Sequence, residues 1–152
     1  MSSRNKKFVL MFLCFNVLML TACARKGGEI LGEKMVRLAG QELVVEIADT
    51  PAEWSRGLSG RENLAENSGM LFVYGDYNIR SFWMKGMKFP LDIVWIKDGI
   101  VMECEKQVQV LDKNGQISQV LSPSEVNYVL EVNSGICEKY GIVPGVKLEI
   151  SK

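Results

Sequence analysis

The feature of this chain that most constrains its fold is a series of short β-type runs separated by turn signals. Asp98-Gly99 lies between the runs 91–97 and 100–108, and Asn114-Gly115 lies between 107–113 and 116–121. Both dipeptides are favoured in two-residue hairpin turns, whose central residues need a positive φ. The pattern therefore predicts a hairpin at each dipeptide.

The rest of the chain adds further strands and little helix. Alternating apolar residues predict a first hairpin between 36–38 and 43–48. Thr50, Pro51 and Glu53 have the pattern of a capping box with proline at the first helical position, so a short helix should begin there and end by Gly60. The other predicted elements are strands at 69–75, 80–87, 128–133 and 146–150 and a short helix or turn at 134–141.

These elements together predict a β-rich α+β fold. We expect a small barrel- or sandwich-like antiparallel sheet with one or two short helices, in a single domain over residues 35–152. Trp54 and Leu58 are four residues apart on the first helix, share one face of it and should pack into the core together.

The amino terminus has the pattern of an export signal. Three basic residues precede an uncharged apolar run, 8–20, which is shorter than the ~20 residues that span a bilayer as a helix. The run ends in "LTAC", residues 20–23, which resembles the lipobox of bacterial lipoproteins. The resemblance implies that a signal peptide, 1–22, is cleaved and that Cys23 is lipidated.

A lipid anchor would make the membrane a partner of the mature protein. Residues 23–34 are then a lipidated cysteine and a short, glycine-rich, charged tether. The domain should lie in the cell envelope on the extracytoplasmic side. Ala24 stands where an aspartate would signal inner-membrane retention, which favours the outer membrane in a host that has one.

Composition excludes several classes of function. Cleavage removes three of the 18 basic residues and none of the 18 acidic ones, and a net charge of about −3 argues against nucleic acid as a partner. The chain contains no histidine, so histidine-dependent nucleophiles and metal sites are excluded. We predict neither a metal site nor a cofactor. Cys104 and Cys137 either pair in an oxidising compartment or are separate buried thiols.

Lys85 and Asp92 are charged residues inside the largely apolar run "FWMKGMKFPLDIVW", 82–95. Lys85 would share a strand face with Trp83. Its stem either packs on the ring and leaves the ammonium in water, or the pair forms a patch that binds a sugar or an anion. Asp92 would share a face with Val94, where an ionised carboxylate needs a cation or backbone N–H groups. It either closes a turn after the proline or lines a pocket as a paired carboxylate.

Two more residues complete the binding candidates. Arg56 and Arg61 lie on either side of "GLSG" at a predicted helix C-terminus, where the dipole favours cations, and Arg56 could instead bind an anion. Glu131 is a second carboxylate on a predicted strand. The candidate binding residues are Trp83, Lys85, Arg56, Asp92 and Glu131, and no catalytic residue is assigned.

Four ordered blocks resemble a bacterial and archaeal family, domain of unknown function 192. The blocks are "RGLSGRENL", "SGMLFVY", "FWMKGMKFPLDIVWI" and "VLEVNSG", and the resemblance runs from about Glu46 to Ile150. It implies a compact β-rich fold with a short helix near the first block, and it implies no activity. The chain departs from the family pattern at Ser59, where methionine is frequent, and at Gly86-Met87, where asparagine-threonine is frequent.

Three functions remain open at this point. The first is a non-catalytic envelope module that binds a saccharide or an anionic small ligand. The second is an accessory or scaffold protein for another envelope protein, which would need a contiguous exposed apolar patch. The third is a hydrolase or lyase with Asp92 and Glu131 as acid and base, which needs the two carboxyls to face each other across a cleft.

Overall fold

The computed structural model describes residues 32–151, so the predicted signal peptide, Cys23 and most of the tether lie outside the described residues. None of the helices in the described range is long and apolar enough to span a membrane. The helices are α1 (Pro51–Arg56) and α2 (Ile136–Tyr140). The strands are β1 (Glu33–Leu38), β2 (Gln41–Ala48), β3 (Ser68–Asn78), β4 (Ser81–Trp83), β5 (Leu91–Lys97), β6 (Ile100–Val108), β7 (Gln119–Leu121), β8 (Val126–Asn133) and β9 (Leu148–Ile150).

Seven strands form one sheet in the order β6-β5-β8-β3-β2-β1-β9, and β4 pairs with β7 in a second, two-stranded sheet. The predicted β-rich fold with short helices is confirmed. One detail differs from the expected antiparallel arrangement, because β2 and β3 are parallel. The connection between them carries α1 and is long enough for the crossover that parallel strands require.

The large sheet curls until its two edges meet. The amide of Val101 in β6 donates to the carbonyl of Val146 at 2.8 Å, and the amide of Leu148 in β9 donates to the carbonyl of Gly99 at 2.7 Å. These bonds hold the sheet in its curled, half-barrel shape. Its concave side holds one core, which includes Leu71 and Leu130 together with α2.

A second core covers the opposite face of the same sheet. It contains Phe72, Ile93 and Trp95, and β4 and the segment after α1 contribute Met84 and Leu58. Because both faces of β5 are covered, every residue from Leu91 to Ile96 is buried. This double burial explains the long apolar run that contains Asp92.

The local predictions succeed where one turn determines the pairing. The β1–β2 hairpin and the β5–β6 hairpin at Asp98-Gly99 both form, and Asp98 and Gly99 have the positive φ values of 51° and 77° that such a turn requires. The prediction for Asn114-Gly115 holds only in part. A single bridge joins Leu111 and Ile117, and the following strand, β7, pairs with β4.

Helix α1 begins as predicted. The side chain of Thr50 accepts from the amide of Glu53 at 3.4 Å, and the carboxylate of Glu53 accepts from the amide of Thr50 at 3.0 Å. The helix ends at Gly57, whose φ of 49° is the left-handed side of backbone space that favours glycine. Leu58 is buried. Trp54 is half-buried, and its indole nitrogen donates to the carbonyl of Ala48 at 3.0 Å.

Candidate functional site

A cleft of about 250 Å³ opens beside α1, on the face of the large sheet that carries the second core. One wall is α1 and the turn after it, and the other is β4 with the end of β3. Residues from four separate parts of the chain line it: Trp54, Ser55, Arg56, Gly57, Leu58, Ser59, Phe72, Tyr74, Ser81, Phe82, Trp83, Met87 and Glu131. This lining brings together three of the five binding candidates from the sequence: Arg56, Trp83 and Glu131.

Glu131 lies at the floor of this cleft. It pairs with Met70 on one side and with Ile93 on the other, so its side chain projects from the face that carries the second core. Only 6% of Glu131 is exposed, and its Oε2 atom has no hydrogen-bond partner within the described part of the chain. A buried polar atom without a partner costs free energy. The floor of the cleft therefore has one polar atom that could still form a hydrogen bond.

Burial raises the pKa of the Glu131 carboxyl to about 8, against the opposing influence of the Arg61 guanidinium. The desolvated carboxylate is disfavoured more strongly than the nearby cation favours it. Arg61 is itself held by the Glu46 carboxylate through two bonds of 2.5 and 2.7 Å. Glu131 is therefore a neutral acid at pH 7 and can donate a hydrogen bond.

Gly57 allows α1 to approach this carboxyl closely. A Cβ atom at Gly57 would lie 3.4 Å from Cζ of Phe72 and 3.9 Å from Oε2 of Glu131. The glycine is required by its φ of 49°, and it leaves the helix end in direct contact with the cleft floor. The arginine-glycine-leucine block thus places Arg56 and Leu58 on either side of this contact.

Aromatic rings form most of the apolar lining. Trp54 and Tyr74 are 4.7 Å apart between centroids, and Phe72 packs edge-to-face on Phe82 at 4.8 Å. Trp83 is 55% exposed at the mouth of the cleft. Exposure of a tryptophan ring beside a pocket is typical of a surface on which a ligand stacks.

The two cations predicted to bind a ligand have different positions. Arg56 lines the cleft, and it is the only arginine of the described chain that forms no ion pair with a carboxylate. Lys85 does not line the cleft. Its Nζ atom lies 5.6 Å from the centroid of the Trp83 ring, and its carbonyl accepts from the Ser59 hydroxyl at 2.6 Å.

Asp92 lies outside the cleft, on the other face of the sheet. It is completely buried. Its Oδ1 accepts from the amide of Gln107 at 2.8 Å, and its Oδ2 accepts from the amide of Cys137 at 2.8 Å. The carboxylate therefore joins an irregular point of β6 to the start of α2. Of the two alternatives, a cation or backbone N–H groups, the structure has the second, because a backbone N–H group donates to each oxygen.

The cysteine pair lies next to Asp92. Cys104 and Cys137 form a disulfide that connects β6 to α2, which decides between the two alternatives left open by the sequence. Their sulfur atoms and an oxygen of Asp92 lie within 4.8 Å of one another. Because the two sulfurs are bonded to each other, they are not available as a pair of thiolate ligands.

Sequence reasoning missed several residues of the cleft. Phe72 and Tyr74 lie two and four residues after Met70 on β3, so the period of two could have assigned all three to one face. The position of Ser81 had no local signal. It follows from the pairing of β4 with β7, which joins residues that are about 40 apart in the chain.

The fold and the cleft define a class: a β-rich half-barrel whose outer face carries an aromatic cleft with a buried acid at its floor. The chain belongs to the DUF192 family, Uncharacterized ACR, whose profile matches residues 34–150. No curated protein matches the chain.

Solved structures that are similar to this chain include the following two. One is a protein from Sinorhizobium meliloti 1021, whose description provisionally places it among transcription regulators. It is 32% identical, with a TM-score of 0.74, and the match covers 82% of this chain and 98% of that one. The other is a protein of unknown function from Novosphingobium aromaticivorans DSM 12444. It is 29% identical, with a TM-score of 0.66 and coverage of 78% and 84%.

Two positions at which this chain departs from the family pattern contact each other beside the cleft. A Cβ atom at Gly86 would lie 3.3 Å from Oγ of Ser59. The carbonyl of Gly86 also accepts from the amide of Gly60 at 2.8 Å. Small residues at both positions thus let the turn after α1 pack closely on the turn after β4.

Proposed function

We propose that this protein is a lipid-anchored lipoprotein of the cell envelope whose domain binds a small ligand in the cleft without catalysing a reaction. The lipobox at Cys23 and the short apolar signal before it support the anchor. Three acyl chains would attach the protein stably, since each buried methylene contributes about 0.8 kcal/mol. The ligand is a saccharide or an anionic small molecule.

One observation carries the binding function: the unpartnered Oε2 of Glu131 at the floor of an aromatic cleft. A structural role alone would favour an apolar residue or a satisfied carboxyl at this position. A ligand that hydrogen-bonds with this group would satisfy it, while Trp83 and Phe82 supply apolar contact area.

The position of Asp92 supports binding over acid–base catalysis. Glu131 and Asp92 lie on opposite faces of the sheet, and Asp92 is fully buried. A glycosidase-type mechanism needs two carboxyls roughly 5–9.5 Å apart across one cleft, and the cleft has only Glu131. The carboxylate pair considered from the sequence is therefore not part of this proposal.

Co-purification tests the proposal directly. The protein is extracted from its native membrane in mild detergent and measured by native mass spectrometry, alongside Glu131→Ala and the control Glu103→Gln on the exposed part of β6. We expect a bound small molecule on the wild type and the control, and its loss in Glu131→Ala. A bound envelope protein in place of a small molecule would favour the scaffold function instead.

A further inference from the structure

The charges that line the cleft are unbalanced. Of the lining residues, only Arg56, Tyr74 and Glu131 can ionise. Burial raises the pKa of Tyr74 to about 12, so Tyr74 stays neutral, and Glu131 is neutral at pH 7 for the same reason. Arg56 is therefore the only charged group of the cleft lining near neutral pH.

The polar groups of the cleft are mainly able to donate. Arg56 carries five N–H donors and no acceptor, and the protonated Glu131 adds an O–H. The hydroxyl of Ser81 accepts from the side-chain Nε2 of Gln119 at 2.7 Å, which leaves its own hydrogen to donate. A ligand that complements these groups must be rich in acceptors and carry negative charge.

We propose that the cleft selects a small ligand with a carboxylate group, which accepts hydrogen bonds from the Arg56 guanidinium and the Glu131 carboxyl while the rest of the ligand lies against Trp83. This inference rests on the proposed binding function and names its ligand class. Arginine binds carboxylates in a bidentate manner, and a hydrogen bond from a carboxylic acid to a carboxylate is short and charge-assisted. An uncharged ligand would leave Arg56 without a counter-charge.

The ionisation of Glu131 should then control binding. Three ionisable groups lie around it: Arg56 of α1, Arg61 after α1 and Tyr74 of β3. Two more carboxyls lie in the same cross-strand row of side chains, Glu46 of β2 on one side and Glu105 of β6 on the other. Arg61 favours ionisation, but its bidentate bond to Glu46 offsets its charge. Above a pH of about 8, Glu131 becomes an anion that loses its O–H and repels the ligand.

Matched pairs of acid and neutral probes test the ligand class. The detergent-solubilised protein is titrated with sodium D-glucuronate and D-glucose, and with sodium benzoate and benzamide, and the indole signals of Trp54 and Trp83 are followed by NMR. At pH 6.5 we expect each acid to bind at least tenfold more tightly than its neutral partner. Between pH 8 and pH 10 the Kd of the acids should rise about tenfold per pH unit.

Variants assign the effect to named residues. Glu131→Gln should still bind the acids, and their Kd should no longer depend on pH above 8. Arg56→Gln should abolish the preference for acids over neutral probes, whereas the exposed control Arg37→Gln, which removes the pair with Glu42, should leave it unchanged. Arg56 is exposed, so its replacement leaves the folded structure intact and gives a result even if Glu131→Gln unfolds.

The outcomes separate this inference from the proposed function. Equal or tighter binding of the neutral probes would overturn the carboxylate class and leave a ligand-binding cleft. Binding of acids that is unaffected by Arg56→Gln would also overturn it. If none of the four probes shifts the two indole signals, the carboxylate class is wrong, and co-purification decides separately whether the cleft binds another ligand.

Discussion

Asp92 and Glu131 lie on adjacent strands of the same sheet, with their carboxyls on opposite faces. In the register of β5 and β8, Glu131 is opposite Ile93, and Asp92 is opposite Val132. One carboxyl thus faces the concave core, where two amides satisfy it, and the other faces the cleft with a free oxygen. The same kind of side chain thus connects elements of the fold at one position and leaves an unpartnered oxygen in a cleft at the other.

Replacing Glu131 should change how stability depends on pH. In the folded protein the pKa of the Glu131 carboxyl is raised to about 8, whereas in the unfolded chain it has its ordinary value of 4.5. Between these values the unfolded state binds fewer protons, so the group lowers the free energy of unfolding as pH rises, by up to about 1.4 kcal/mol per pH unit. Glu131→Gln should therefore gain stability relative to the wild type between pH 5 and pH 8.

Urea unfolding at pH 5, 6.5 and 8 measures this difference. Glu103→Gln, at an exposed position of β6, is the control and should show a difference from wild type that does not change with pH. A constant difference for Glu131→Gln across the same range would show that Glu131 is ionised in the folded protein.

Asp92→Asn should destabilise the domain. The amide side chain retains one acceptor oxygen, so its NH₂ group would face one of the two amides that now donate to Asp92. We expect a loss of about 1–3 kcal/mol for the unsatisfied buried group. Equilibrium denaturation measures the loss, with Asp49→Asn at an exposed position as the control. Stability equal to wild type would mean that the bonds of Asp92 to β6 and α2 contribute nothing.

Lys85→Met should change stability little, because the Lys85 side chain is exposed and its ammonium lies over the exposed Trp83 ring. The same denaturation experiment compares it with Asp92→Asn. A badly destabilised Lys85→Met beside a stable Asp92→Asn would reverse the structural role that we assign to Asp92.

Two substitutions in and next to α1 should lower stability by different amounts. Thr50→Ala removes the cap that accepts from Glu53, which should cost about 0.5–2 kcal/mol. Trp54→Ala should cost more, about 2–4 kcal/mol, because it removes a half-buried ring that contacts Tyr74 and the indole bond to Ala48. Guanidinium unfolding of both variants checks the order, and a larger loss for Thr50→Ala would contradict it.

The disulfide should contribute measurably to stability. It joins Cys104 and Cys137, which are separated by 33 residues, and a loop of this length corresponds to about 3–4 kcal/mol in the chain-entropy description. The double variant Cys104→Ser, Cys137→Ser should lose about this much in guanidinium unfolding. For the domain expressed as residues 24–152, which lacks Cys14 and Cys23, an unchanged mass after thiol alkylation under denaturing, non-reducing conditions would confirm the bond. Alkylation of both cysteines would contradict it.

Membrane attachment should depend on Cys23. Cys23→Ala removes the thiol that the lipobox predicts to be modified, so acylation should disappear and a slower-migrating precursor should accumulate. Metabolic labelling with an alkyne fatty acid measures acylation. Label on the variant at the wild-type level would show that the lipid is attached elsewhere or that the protein is anchored in another way.

The features that depend on neighbouring residues could be predicted from the sequence. Asp98-Gly99 predicted its hairpin because the turn requires positive φ at both positions. Thr50, Pro51 and Glu53 predicted the start of α1 because capping bonds join residues three apart. The β-rich class followed from the same short-range signals.

The environments of the two buried carboxyls depend on long-range strand pairing and could not be predicted from the sequence. A shift of one residue in the register of β5 and β8 would pair Asp92 with Glu131 and place both carboxyls on the same face of the sheet, and no local pattern specifies that register. The pairing of β4 with β7, and with it one wall of the cleft, also joins residues distant in the chain. Such pairings are selected by the simultaneous burial of both faces of the sheet, which is a property of the whole folded chain.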